Sequence, residues 1–288
     1  MTAPKPAEPR TLDRDLLAAF PLPALPEDGD KEDRGRVLVI AGGREVPGAA
    51  VLTGIAAQRA GSGKLQIVTH ADVAIPVGVA VTGARVIAGF DDCVTHVGQS
   101  GAVVIGCGMD PGKSVDRLVA AILEAGGEMP LILDAAALDC LAGREERIRG
   151  WAGGIALLPH SREMARMLDC APEEVEIDPL HAAERAAAAY GAVTLVKGRF
   201  SFIAAPDGQT FRFEGGGIGL ATSGSGDVLA GIVAGIAARG ADILTAVLWG
   251  VWLHGEAGRV LTDEIGRVGF LADELPGRIP ALLASVAA

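Results

Sequence analysis

Residues 37–68 read VLVIAGGREVPGAAVLTGIAAQRAGSGKLQIV. The aliphatic run Val37-Leu38-Val39-Ile40 predicts a buried strand, and Ala41-Gly42-Gly43 ends it. A helical stretch follows from about Gly48 to Ala60, with Gly61 placed as its stop. Leu65–Val68 is a second strand. A strand–helix–strand unit of this length predicts parallel pairing.

The same alternation continues along the chain. Ala102-Val103-Val104-Ile105, Leu131-Ile132-Leu133, Ile155–Leu158 and Val193-Thr194-Leu195-Val196 are short apolar runs of the buried-strand type. Helical stripes stand between them at Val115–Glu124 and about Leu180–Tyr190. Phe200–Ala204 and Thr210–Phe213 flank Pro206-Asp207-Gly208, which predicts a hairpin. The last third reads as helix, with one face at Val228, Leu229, Ile232, Val233 and Ile236, then a second helix from about Ala241 to Thr262. The expected fold is α/β, with a mostly parallel sheet covered on both faces. Residues 1–30 are expected to be a loose arm and 31–288 one catalytic domain, because no composition break divides the remainder.

Composition excludes several classes of function. The net charge of −11 argues against nucleic acid as a bulk partner, since phosphate backbones need a basic face. It leaves room for one small anion, which helix-start N–H groups bind without net positive charge. Cys93, Cys107, Cys140 and Cys170 show no CxxC spacing and are expected to be free thiols. The amino-terminal stretch lacks the apolar core of an export signal, and runs such as Val73–Val81 are too short to span a bilayer. A cytoplasmic protein without a membrane partner is therefore expected.

In open parallel sheets, ligands bind beyond the carboxyl ends of the strands. Gly42-Gly43, Gly106-Cys107-Gly108, Asp134, His160 and Lys197-Gly198 all follow strands, so together they predict a site there. Two common glycine motifs fail. Ala49-Ala50 stand where a P-loop needs Lys and Ser/Thr, and Pro111 stands where GxGxxG needs its third Gly. The histidines show no paired spacing for zinc. An Mg2+ ion carried on nucleotide phosphates remains compatible, because it needs few protein ligands.

The strongest signal is Thr222-Ser223-Gly224-Ser225-Gly226-Asp227, which runs straight into an apolar helix. Its glycines admit close backbone approach, and its N–H groups can hold an anion. Asp227 can then take a proton from a substrate hydroxyl, or it can simply cap its helix. Spacing alone leaves these two readings level. The costly run Gly215-Gly216-Gly217 favours the first. His160 by itself reads as a helix-start residue, and Lys197 as a phosphate contact or a solvated strand end.

Taken in order, these blocks resemble the ADP-dependent NAD(P)H-hydrate dehydratases of the ribokinase-like superfamily. The resemblance covers roughly residues 31–275 and rests on KEDRGRVLVIAGG (31–43), GAAVLTG (48–54), AGSG (60–63), VIGCGM (104–109), LDAAAL (133–138), LPHSRE (158–163), VKGRFS (196–201) and SGSGDVLAG (223–231). It implies a ribokinase-like three-layer α/β/α sandwich. The implied substrate is the S epimer of hydrated NADH or NADPH. ADP would phosphorylate its hydroxyl, and phosphate would then leave, giving NAD(P)H and AMP. Ala50, Gly108 and His160 would line the hydrate site. Lys197, Gly198, Arg199, Phe200, Ser201 and Gly226 would hold the adenylate. Asp227 would be the base, and the backbone at Gly224, Ser225 and Gly226 the anion hole. The resemblance, with the exposed arm, also implies a homo-oligomer such as a tetramer, with epimerase activity on another chain. The chain departs from the family pattern at Cys107, Asp110, Ala136 and Ser201, and lacks the usual Asn before the GxGD turn. A small-molecule kinase of the hydroxymethylpyrimidine or thiazole-alcohol type, and a non-catalytic nucleotide-binding relative, are the competing readings.

Overall fold

Every aliphatic run expected above to be a strand is one, whereas the apolar run Val73–Val81 is mostly helix, Ala74–Ala80. The computed structural model describes residues 8–24 and 28–287. In chain order its strands are β1 (Arg10–Thr11), β2 (Arg36–Ile40), β3 (Lys64–Thr69), β4 (Ala84–Ala88), β5 (Ala102–Ile105), β6 (Leu131–Leu133), β7 (Ile155–Leu157), β8 (Val193–Val196), β9 (Phe200–Ala204) and β10 (Thr210–Glu214). They form one sheet in the order β1-β10-β9-β8-β7-β6-β5-β2-β3-β4. The seven strands from β8 to β4 run parallel. Strand β9 is antiparallel to β10, as the Pro206-Asp207-Gly208 turn predicts, and also to β8.

Alternation within each strand sends side chains to two separate cores. Val37, Val39, Val104 and Ile132 belong to one, which the Gly48–Arg59, Ser225–Ala238 and Ile243–Glu264 helices cover. Leu38, Ile40, Val103, Ile105, Leu131 and Leu133 belong to the other, under the Lys113–Ala125, Ser161–Leu168 and Pro179–Tyr190 helices. This is a three-layer α/β/α arrangement.

The Ser225–Ala238 helix is buried on nearly every side. It packs on the Gly48–Arg59 helix so closely that a Cβ at Gly231 would collide with the Thr53 carbonyl oxygen. One at Gly235 would collide with the Ala57 carbonyl oxygen. Glycine at these two positions lets the helix carrying Asp227 lie directly against the helix that follows β2.

The expectation of a loose arm fails over residues 8–24; residues 1–7 and 25–27 of that arm lie outside the described residues. Strand β1 adds to the sheet edge beside β10, and Leu12 N–H donates to the Arg212 carbonyl at 2.8 Å. Leu12 and Leu17 are buried, and the Trp249 indole N–H donates to the Phe20 carbonyl at 2.7 Å. Arg10 lies over the Phe20 and Phe211 rings, which meet edge to face. A stretch rich in Pro and charge concealed these few apolar anchors. Strand β4 was also missed, because it is a half-exposed edge strand without a continuous apolar run.

Candidate active site

The chain leaves β2 toward β3 and β4 on one side and resumes at β5 on the other. This order reversal opens a crevice at the carboxyl ends of β2 and β5. Its floor is tied by backbone hydrogen bonds, from Gly42 N–H to the Cys107 carbonyl at 2.9 Å and from Gly43 N–H to the Gly108 carbonyl at 2.6 Å. Gly42 has φ +77°, and a Cβ there would sit 2.9 Å from the Ala50 Cβ. Gly108, at φ +59°, lies against Ala49 and the Val46 carbonyl. Gly108 is half-buried just past the end of β5. Ala50 is fully buried, packed beneath Gly42.

Next along the sheet, Asp134 follows β6. Its Oδ1 accepts from Lys197 Nζ at 2.7 Å and from Ala135 N–H at 2.9 Å. Ala135 has φ +48°, a strained value for a residue with a Cβ. The strain falls beside the carboxylate that Lys197 grips. Asp134 is 3% exposed and Lys197 20%, so the pair is largely removed from water. Burial works to lower the Lys197 ammonium, but Asp134 and Glu163 outweigh it and hold the group above its ordinary value.

The Ser225–Ala238 helix begins over this pair. Gly224 takes φ +89°, where a Cβ would press on Leu52 at 2.5 Å. At Gly226 the helix comes close to the ion pair, since a Cβ there would be 3.5 Å from Lys197 Nζ and 4.0 Å from Asp134 Oδ2. Burial, with the nearby Asp134 charge, raises Asp227 to about 6; Lys197 and a hydrogen bond from Cys107 pull the other way. Asp227 is thus a carboxylate at neutral pH, with the tuning of a general base. The Cys107 thiol is itself pushed well up by burial and by Asp134 and Asp227, so it stays protonated.

The amides of the expected anion hole differ in their hydrogen bonding. Ser225 N–H is already donated to the Thr222 carbonyl at 3.2 Å. The N–H groups of Gly224, Gly226 and Asp227 have no protein acceptor among the described residues and remain available to a ligand. Asp227 therefore supplies both a carboxylate and a free amide.

The remaining expected residues divide. His160 caps the Ser161–Leu168 helix: its Nδ1 accepts from Arg162 N–H at 3.1 Å, and Glu163 closes a capping box. It also bridges to Lys197 across the sheet, so it stands at the rim with its side chain 49% exposed. Lys197 and Phe200 flank the exposed Gly198-Arg199 turn between β8 and β9, and Ser201 follows within β9. Arg199 and Phe200 line a cleft of about 330 Å³ with Glu214, Gly215, Gly216, Gly217, Arg259 and Thr262. Lys197 is not part of that lining; its ammonium serves the Asp134 cluster instead. The glycine run that the sequence singled out is thus one wall of a cleft. Sequence reasoning placed Asp134 only as a strand end and missed His254, whose Nε2 is 2.9 Å from Ser225 Oγ. A single histidine in an apolar helix carries no motif.

Comparison with known proteins fits this geometry. A family model described as NAD(P)H-hydrate dehydratase matches residues 37–281. The chain belongs to the NAD(P)H-hydrate dehydratase family. An ADP-dependent (S)-NAD(P)H-hydrate dehydratase of Xanthomonas campestris pv. campestris is 42% identical over 295 residues, covering 98% of each chain. A bifunctional NAD(P)H-hydrate repair enzyme of Moorella thermoacetica is 33% identical; the match covers 91% of this chain and 52% of that protein. The solved structure of the ADP/ATP-dependent NAD(P)H-hydrate dehydratase of Bacillus subtilis, co-crystallized with ATP/Mg2+, superposes with a TM-score of 0.86. It is 29% identical and covers 96% of this chain and 98% of its own. The ribokinase-like fold implied by the sequence blocks is the fold observed. Among the described residues no helix is long and apolar enough to cross a membrane.

Proposed function

We propose that this protein is an ADP-dependent dehydratase that returns the S epimer of hydrated NADH or NADPH to the reduced dinucleotide, releasing AMP and phosphate. The carrying observation is the first turn of the Ser225–Ala238 helix. It places free amides at Gly224, Gly226 and Asp227 beside a carboxylate tuned to about 6 and the Lys197–Asp134 pair. In this reading Asp227 takes the proton of the substrate hydroxyl as the phosphoryl group arrives. The open amides, at the positive end of the helix, hold the charge that develops on the transferred group. The Lys197 ammonium offsets charge from the same side. Phosphate then leaves with the C–O electron pair, and a proton lost from the neighbouring ring carbon restores the ring double bond.

Adenylate would lie along the cleft at Arg199 and Phe200, with Gly198, Ser201 and Gly226 at its edge. The hydrate would enter the β2–β5 crevice past Gly108, with His160 at the rim. Mg2+ would arrive on the nucleotide phosphates, where it neutralises their charge and needs few protein ligands. A homo-oligomeric, cytoplasmic enzyme whose epimerase partner is a separate activity completes the proposal; the Moorella relative, which unites repair activities in one longer chain, supports the last point.

The test is to incubate the protein with hydrated NADH and ADP and to follow reduced-nicotinamide absorbance. Recovery that requires ADP supports dehydration. ATP-dependent phosphorylation of a vitamin alcohol without recovery would favour the kinase reading. Tight ADP binding with no turnover of either substrate would favour the non-catalytic one.

A further inference from the structure

The Ile243–Glu264 helix carries His254 within the stretch Trp252-Leu253-His254-Gly255. The side chain faces the neighbouring Ser225–Ala238 helix, where its Nε2 lies 2.9 Å from Ser225 Oγ. Ser225 is 5% exposed and is the first residue of its helix. It is also the only side chain between Gly224 and Gly226. Two glycines leave this turn with unusual backbone freedom, yet its amides must be directed at one point to act on an anion. Within the turn itself, Ser225 N–H donates to the Thr222 carbonyl and Val228 N–H to the Gly224 carbonyl. The bond to His254 ties the turn to a different, long and buried helix. Burial drives His254 down to about 4, and the Lys197 charge adds to this, against a hydrogen bond at the Ser225 backbone. The imidazole is therefore neutral at neutral pH, adding no second cation beside Lys197.

We propose that His254 is a positioning residue for phosphoryl transfer: it grips the Ser225 hydroxyl and so fixes the Gly224–Asp227 turn with its open amides aimed at the transferred group. The role rests on the function proposed above. It requires no contact between His254 and substrate, because His254 acts through Ser225. A histidine that merely satisfies a core hydroxyl would affect folding but not the balance between kcat and KM.

The experiment uses the full chain and the variants H254A, H254Q, S225A and H254A/S225A, each checked by thermal unfolding. With ADP and hydrated NADH, H254A is expected to lower kcat about ten- to a hundredfold while KM for the hydrate stays within about twofold. H254Q, whose amide can still bond Ser225, should recover much of that loss. The double variant should be no slower than the slower single one, as expected of residues acting as a unit. A folded H254A with wild-type kcat, or losses that multiply in the double variant, would overturn the proposal. Inorganic phosphate titrated against the AMP-loaded protein gives a readout independent of turnover. Weaker phosphate binding in H254A than in wild type supports the positioning role even if hydrated NADH proves not to be the substrate, and equal affinity overturns it.

Discussion

At the scale of single residues, Asp227 carries two opposed consequences of one environment. As a base it works only when ionised, so kcat/KM should fall about tenfold per pH unit below about 6. A profile flat to pH 4.5 would remove Asp227 from the role. The same shift acts on stability with the opposite sense. The folded state holds this proton more tightly than the unfolded chain, whose carboxyl keeps the ordinary value of 3.8. The stabilising contribution is therefore full below 3.8 and is lost as pH rises through about 6. At pH 7 the charged Asp227 is a burden. D227N should abolish turnover yet raise stability by about 1–3 kcal/mol, read as a higher melting temperature. Asp134 is the converse case. D134A leaves the Lys197 ammonium largely buried without its partner, and should destabilise by about 3 kcal/mol in denaturant titration as well as slowing turnover. Asp227 was legible in the sequence because glycines, Asp and an apolar helix stand in one contiguous block. Asp134 was legible as a strand-end site residue but not as the partner of Lys197, 63 positions away, and His254 was not legible because its partner lies 29 positions away.

At the scale of elements, the site depends on how two helices approach. Gly231 and Gly235 let the Asp227-bearing helix touch the backbone of the Gly48–Arg59 helix. G231A would gain up to about 1 kcal/mol in helix propensity. It would lose more, because the added methyl meets the Thr53 carbonyl oxygen, a backbone atom that moves only if the whole helix moves. The expected net effect is a destabilisation of about 1–3 kcal/mol, accompanied by reduced kcat because the Gly224–Asp227 turn is displaced from Lys197. Unchanged stability and kcat would contradict this packing account. Most elements with period-3.6 stripes or short aliphatic runs were read to within a few residues, since those patterns are the physical cause of their burial; the short Ala74–Ala80 and Ser161–Leu168 helices were not. The β4 strand and the β1 clasp were not read, because edge elements bury too few side chains to leave a pattern.

At the scale of the whole molecule, the sheet order determines where chemistry can occur. Reversal between β2 and β5 creates the crevice, and β6, β7 and β8 bring Asp134, His160 and Lys197 into line beside it. The amino-terminal segment closes the far edge of the sheet through β1, Leu17 and the Phe20 carbonyl. Removal of residues 1–24 would uncover Phe211 and leave the Trp249 indole without its acceptor, so calorimetry should show a lowered melting temperature. An unchanged transition would mean that the clasp is dispensable. The central claim is that the Asp227 turn couples ADP cleavage to dehydration, and the most direct measurement is product stoichiometry in one reaction mixture. Wild-type protein with ADP and hydrated NADH should yield AMP, phosphate and restored NADH in equal amounts, and D227N should yield none. Restored NADH without AMP, or equal yields from D227N, would contradict it.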